Sequence, residues 1–322
     1  MTDASTTTSA GPDRLIDDLQ AAGVASVVAN ASLAASTTLK VGGPARALVT
    51  AERDEDLGVV GRVCRQYDLP WIVVGRGSNL LLPDGGWPGV AIQLGRGFRG
   101  LELPSASAGT GRLRAGAAEP LPMLAVRIAD AGFKGFAWAC AVPGSLGGAV
   151  RMNAGAHGGD MSDHLVEVEL VRLGTGVREA CAASLLELSY RHSVLPVDAI
   201  VVAATLELER GDPATIRAEI DSIRAWRRAH QPLNQPNCGS VFTNPPGDSA
   251  GRLIEAAGGK DIEIGGARVS ERHANFIVTR PGATASDVWA VITEVQRLVH
   301  DRFGIDLTTE VVRPDARQVG GP

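Results

Sequence analysis

The sequence has little cysteine, and nothing in its spacing pairs what is there. Cys64, Cys140, Cys181 and Cys238 are the four cysteines of 322 residues. They form no CxxC, so reduced thiols of a cytosolic protein are the expectation. Six histidines form neither an HExxH nor another paired ligand spacing, and no metal site is expected. Positive charge is also short. Lys plus Arg number 31 against 36 Asp plus Glu, a net charge of −5. That balance lacks the basic footprint of a protein that binds nucleic acid or an anionic membrane surface. No apolar run approaches the ~18 residues that would cross a bilayer. The opening MTDASTTTSAGPD has neither the basic nor the apolar region of a secretory leader. Residues 1–13 read as a disordered tail, and no obligate protein partner is evident.

Glycine is what the chain has in excess: 39 residues, with 18 prolines beside them. The total exceeds the usual share but stays below the range of disordered chains, so the surplus is assigned to ordered turns and backbone-lined sites. Helical periodicity appears over Asp54–Tyr67, with Leu57, Val60, Cys64 and Tyr67 on one face, and over Leu121–Ala131, stopped by Gly132. Asp212 and Pro213 read as an N-cap and first-turn proline. The helix they start turns Ile216, Ile220, Ile223 and Trp226 inward and ends in Arg227, Arg228 and His230. A last helix, Ser286–Phe303, is expected to bury Trp289, Ile292 and Val299 and to stop at Gly304. Short β-branched strands are expected at Pro70–Val74, Val90–Leu94, Leu165–Leu173, Ile200–Leu208, Asn275–Thr279 and Ile305–Val312. Helices and strands mix without strict βαβ alternation, so the fold class is α+β. The polar turn Glu209–Pro213 marks a domain change: 14–210, then 211–313, with 314–322 a second tail.

Two segments carry chemistry in their backbone. Trp71–Leu82 is an apolar strand that runs into Gly75-Arg76-Gly77-Ser78-Asn79, a turn that can present consecutive N–H groups to a phosphate. It begins as a dinucleotide fingerprint and then departs from it, because the third glycine is missing and Pro83 interrupts the helix that should follow. A plain strand–turn remains the other reading. Val142–Gly155 holds four glycines in fourteen residues, Gly144, Gly147, Gly148 and Gly155. Its surface is therefore backbone, suited to a pyrophosphate or to tight packing.

With these turns, TLKVGGPA at 38–45, VGRGSNLLL at 74–82, PGSLGGAVRMNAG at 143–155, YRHS at 190–193, GSVFTNP at 239–245 and a terminal segment with Glu310 occur in order. The chain from about Ser36 to Val312 resembles the UDP-N-acetylenolpyruvoylglucosamine reductase family. The 48 residues between Arg191 and Ser240 leave little room for the extra substrate-covering loop of its longer members, and in this the chain resembles the type II subgroup.

The resemblance implies a two-part FAD-binding domain of the vanillyl-alcohol-oxidase type and a smaller α+β substrate-binding domain. It also implies non-covalent FAD, NADPH as co-substrate and UDP-N-acetylglucosamine enolpyruvate as acceptor, in the cytoplasm. Gly75, Arg76, Gly77, Ser78, Asn79 and Leu80 on one turn, with Pro143, Gly144, Ser145 and Gly148 on the other, would hold FAD. Arg191 would steady enolate charge, Ser240 would donate a proton, and Glu310 completes the catalytic trio. Tyr190, Asn244 and His273 fall where the family contacts substrate. By strand alternation Glu310 leaves the apolar face of Ile305, Leu307, Thr309 and Val311. One departure stands out. Thr243 occupies a position where many members have lysine, and Arg252 or Lys260 is the expected replacement cation. Taken without the resemblance, Arg191 reads as a surface ion-pair member, Ser240 as a turn residue and Glu310 as a solvated strand residue. Another flavoprotein oxidase of the superfamily, or a UDP-sugar-binding protein without catalysis, are the other functions weighed.

Overall fold

Alternating apolar residues in short strands and one apolar stripe per helix build three larger sheets, one two-stranded ribbon (Gly155–Ala156 with Gly159–Asp160) and seven α-helices among the described residues, 12–104 and 110–315 of a computed structural model. The helices are α1 (Pro12–Ala21), α2 (Asp54–Gln66), α3 (Leu121–Asp130), α4 (Leu146–Arg151), α5 (Pro213–His230), α6 (Ala250–Ala256) and α7 (Ala285–Phe303). Of the tail expected over 1–13, residues 1–11 lie outside the described residues, and α1 opens at Pro12.

The first sheet orders Ser26–Ser32, Pro44–Ala51, Trp87–Leu94 and Trp71–Val73, antiparallel at the first pair and parallel thereafter. Helix α2 covers it with Leu57, Val60 and Cys64. The buried Asp56 carboxylate starts that helix by accepting the Glu52 and Arg53 N–H groups at 2.8 and 3.0 Å. The second sheet is antiparallel: Arg178–Ala182, Leu165–Arg172, Ala199–Arg210, Thr110–Gly116 and Leu101–Glu102, with Phe133–Lys134 also paired to the end of Ala199–Arg210. Val171, Leu173, Ile200 and Val202 from it join the core of the first sheet, so the two sheets and α2 form one block. The third sheet, Glu263–Ile264, Ala267–Val269 and Ile277–Thr279, packs with α6 and α7 around a separate core. The α+β expectation is borne out.

Helix α5 starts as expected, with Asp212 accepting the Thr215 N–H at 2.9 Å. Its Ile216, Ile220 and Ile223 pack into the core of the second sheet with α3, although the sequence sets the domain change just before it. Trp226 does not turn inward. The last two turns of α5 run beyond that core, and Trp226 is exposed, stacked on His230 at 4.4 Å between centroids. Trp289 is likewise only half-buried on α7, beneath the Arg313 guanidinium.

The strand expected over Ile305–Val312 does not form a ladder. This segment passes between two different neighbours and meets each at one residue, Phe242 with Thr309 and Leu80 with Val312. Its alternation survives as burial, with Leu307 and Val311 inward. Side-chain bonds also fasten the C-terminal part to loops beside the first sheet. Asp84 accepts the Ala285 and Ser286 N–H groups at 2.6 and 2.9 Å, capping α7 from the other side of the interface. Thr279 Oγ1 donates to the Leu39 carbonyl at 2.6 Å.

Candidate active site

The first glycine turn leaves the strand Trp71–Val73 and keeps its amides unspent. The N–H groups of residues 75–80 donate to no other described residue. Gly77 has φ +59°, and a Cβ there would stand 2.2 Å from the Ser36 carbonyl oxygen, so only glycine closes this turn. No helix follows Leu80, in keeping with Pro83.

The second turn faces the first. A Cβ on Gly75 would meet Ser145 Oγ at 2.7 Å, and one on Gly144 would meet Ser78 Oγ at 3.4 Å. Arg76 Nε donates to the Pro143 carbonyl at 3.2 Å and ties the turns together. Not every expected member offers an amide. Pro143 has no N–H to give. Downstream, the Leu146 and Gly147 amides are spent on the Glu119 and Ala117 carbonyls. Ser145 is buried, yet its hydroxyl engages no described group. The pair of turns is thus a cleft of free amides and two hydroxyls, too narrow at its glycines for side chains.

Arg191 sits at the tip of a tight turn closed by Ser189 and His192, whose N–H and carbonyl groups bond reciprocally at 3.0 and 3.1 Å. Its φ of +56° is the left-handed conformation that usually calls for glycine. The strain aims the guanidinium. Nε donates to Glu310 Oε1 at 2.7 Å and Nη2 to the Gly155 carbonyl at 2.9 Å. Of five N–H donors, three remain. Tyr190, exposed, lies with its ring centroid 4.9 Å from the guanidinium carbon. The turn is steadied from beneath by Asn153, fully buried, whose Nδ2 donates to the Ser189 carbonyl at 2.9 Å and whose Oδ1 accepts the Ser162 N–H.

Glu310 comes from the C-terminal part. Its N–H donates to the Val241 carbonyl at 2.7 Å, and its own carbonyl accepts Asn79 Nδ2 at 3.0 Å. Asn79, on the first glycine turn, therefore also positions the carboxylate strand. Burial pushes the Glu310 carboxyl above the ordinary carboxylate range, against the opposing pull of Arg191.

A cavity of about 550 Å³ opens here. It is lined by Tyr190, Arg191, Asn244 and Glu310 from the expected set, and by Met152, Thr243, Thr308 and Arg313 among others. Ser240 is not among its lining residues. It is half-buried in the segment beside Glu310, one residue before Val241, and its hydroxyl engages no described group. Asn244 Oδ1 accepts the Ala250 N–H at 3.0 Å and fixes the start of α6. His273 stays outside the cavity: its ring packs on Phe276, Nδ1 accepts the Asn275 N–H at 3.2 Å, and burial lowers its pKa.

The expected replacement cations are otherwise engaged. Arg252 Nε donates to Asp248 at 2.6 Å and Lys260 to Glu255 at 2.6 Å, and neither lines the cavity.

Sequence reasoning missed Asn275. It is buried, and its amide embraces Phe242: Oδ1 accepts the Phe242 N–H at 2.9 Å, and Nδ2 donates to the Phe242 carbonyl at 2.8 Å. This grip holds the Ser240-bearing segment. No local signal marks it, because its partner lies 33 positions away.

Both glycine turns, and the segments carrying Ser240 and Glu310, lie within regions that match known families. Residues 45–181 match the model of an FAD-binding domain, and 231–313 match the C-terminal domain of UDP-N-acetylenolpyruvoylglucosamine reductase. The reductase of Anoxybacillus flavithermus is 42% identical over 301 residues, 93% of this chain and 98% of that protein. The reductase of Heliobacterium modesticaldum is 47% identical over 277 residues, 85% of this chain and 86% of that one. The crystal structure of the Thermus caldophilus reductase superposes with a TM-score of 0.75 at 34% identity, covering 89% of this chain and 98% of that one. The chain belongs to the UDP-N-acetylenolpyruvoylglucosamine reductase family. For this reductase family member FAD is the cofactor, and the cleft fits it. Free amides and the Ser78 and Ser145 hydroxyls suit a pyrophosphate, and glycines keep the backbone open to it. Among the described residues no helix is long and apolar enough to cross a membrane, and no His, Cys, Asp and Glu group could hold a metal.

Proposed function

We propose that the protein reduces UDP-N-acetylglucosamine enolpyruvate to UDP-N-acetylmuramate with electrons from NADPH, as a step of peptidoglycan precursor synthesis in the cytoplasm. The observation that carries this reading is the Arg191–Glu310 pair. A strained turn from the FAD-binding part and a segment of the C-terminal part meet there, at the wall of one cavity.

FAD, when bound, supplies the hydride relay from NADPH to the terminal carbon of the enolpyruvyl group. Adding hydride there places negative charge on the neighbouring carbon and its carboxylate. The three remaining N–H donors of Arg191 meet that charge with a fork matched to a carboxylate. Glu310 keeps the fork from rotating, so the charge is met without reorganisation. Ser240 delivers the proton that the carbon then needs. Its hydroxyl is not spent on the protein, and the segment that carries it is tied to Glu310 through the Val241 carbonyl. Tyr190 and Asn244 line the path of the nucleotide sugar. His273 acts one step back, through the backbone of Asn275.

The test is anaerobic reduction of the purified flavoprotein by NADPH, followed by the enolpyruvyl nucleotide. Reoxidation of flavin only on adding that nucleotide supports the reading. Rapid reoxidation by oxygen, with no response to the nucleotide, would make the protein an oxidase instead.

A further inference from the structure

The cavity has a second arginine that the mechanism leaves unused. Arg313 lines the 550 Å³ cavity and also an adjoining pocket of about 160 Å³ beside α7, so it stands on the ridge between them. Its guanidinium carbon is 4.7 Å from the centroid of the Trp289 ring. It makes no ion pair or hydrogen bond with a carboxylate among the described residues, unlike Arg191, Arg252 and Lys260. Asp84, which lines the same small pocket, is already committed to the α7 amides. Thr243 contributes only a hydroxyl, and that donates to the Thr308 carbonyl at 3.3 Å.

Resting on the nucleotide-sugar reading above, we propose that Arg313 is the cavity's diphosphate-binding cation, moving from the face of Trp289 onto the phosphates of the substrate.

Charge and reach both favour this. A UDP-sugar carrying an enolpyruvyl group brings a carboxylate and two phosphates, whereas Arg191 is partly neutralised by Glu310. Arg313 lies three residues beyond Glu310 on an extended segment, a separation of roughly 10 Å along the backbone. A flexible arginine spans the remainder. The substrate likewise holds its diphosphate a few bonds from the enolpyruvyl ether. Stacking on one face of this half-buried indole is a weak restraint. It pre-orders the side chain at the cavity rim and yields to charge-assisted bonds with phosphate oxygens.

Binding of UDP and of uridine to the FAD-loaded protein, with steady-state kinetics on the enolpyruvyl nucleotide, separates the possibilities. Arg313→Gln should weaken UDP roughly tenfold to a hundredfold, the loss of charge-assisted bonds, and leave uridine binding unchanged. KM for the nucleotide should rise more than kcat falls. Arg313→Lys should recover most of the UDP affinity. Equal UDP affinity in Arg313→Gln and wild type would overturn the assignment while leaving the function standing. Failure of UDP to bind the wild type would overturn the nucleotide-sugar reading and this proposal together.

Discussion

Asn275→Ala removes the grip on Phe242 and leaves that residue's N–H and carbonyl without partners in a site where both residues are almost fully buried. Each of the two orphaned backbone groups costs about 1–3 kcal/mol, so the loss is roughly 2–6 kcal/mol. Water entering the space vacated by the amide would move the cost toward the lower end. For a chain of this size the melting temperature should fall by about 3–9 °C, read by calorimetry on the FAD-loaded protein. Because Phe242 follows the Ser240 and Val241 positions that border Glu310, turnover at a permissive temperature should fall about tenfold while flavin stays bound. Asn275→Asp sharpens the reasoning. A carboxylate can still accept the Phe242 N–H, but its other oxygen then faces the Phe242 carbonyl, acceptor against acceptor. Protonation restores a donor, so the folded-state pKa of the new group is raised. Its contribution is fully present below the ordinary carboxylate pKa and lost as pH rises through the raised value. The deficit of Asn275→Asp against wild type should therefore widen with pH. A melting temperature within a degree of wild type for Asn275→Ala, or a pH-independent deficit for Asn275→Asp, would refute the bidentate grip.

Arg191→Lys keeps a charge but cannot serve Glu310, the Gly155 carbonyl and the substrate with one fixed fork. Turnover should drop by roughly a hundredfold or more with little change in melting temperature, whereas near-normal turnover with a large stability loss would mark a structural ion pair. Asp84→Ala uncaps α7 across the domain interface and should cost about 1 kcal/mol at neutral pH, the usual value of a cap, measured by urea unfolding. The bonds to the Ala285 amide and to Ser286 hold the Asp84 carboxyl below its ordinary pKa despite the cost of burial. Its contribution is present above the ordinary carboxylate pKa and lost as pH falls through the lowered one, so wild type and variant should converge in acid.

What the sequence reveals of the site follows the range of the interactions. The glycine turns are legible because a close approach of two chain segments selects glycine, as Gly75 against Ser145 and Gly77 against Ser36 show. The starts of α2, α5 and α7 are legible because their caps lie within three residues. Arg191 and Glu310 stand 119 positions apart, and nothing local in either segment says that they touch. Only the order of several motifs along the chain places them in one site. Asn275 reaches Phe242 across 33 positions, and Arg313 meets Trp289 only because the C-terminal segment threads beside α7. The ladder expected over Ile305–Val312 fails on similar grounds. Alternation reports which side chains are buried, but not whether one neighbour runs alongside long enough to pair. Trp226 shows the converse limit: helical spacing points it toward a core that ends one turn earlier.

The most direct test of the account separates the two half-reactions in Ser240→Ala. Stopped-flow absorbance would follow flavin reduction by NADPH and then reoxidation by the enolpyruvyl nucleotide, in wild type, Ser240→Ala and Ser240→Cys. Proton delivery to the enolate belongs only to the second half. Reduction should keep its rate in Ser240→Ala, and reoxidation should slow by about 10²–10⁴, the contribution of a positioned acid. Ser240→Cys should regain part of that loss. Unchanged reoxidation in Ser240→Ala, or equal slowing of both halves, would contradict the assignment of Ser240 as the proton donor beside Arg191 and Glu310.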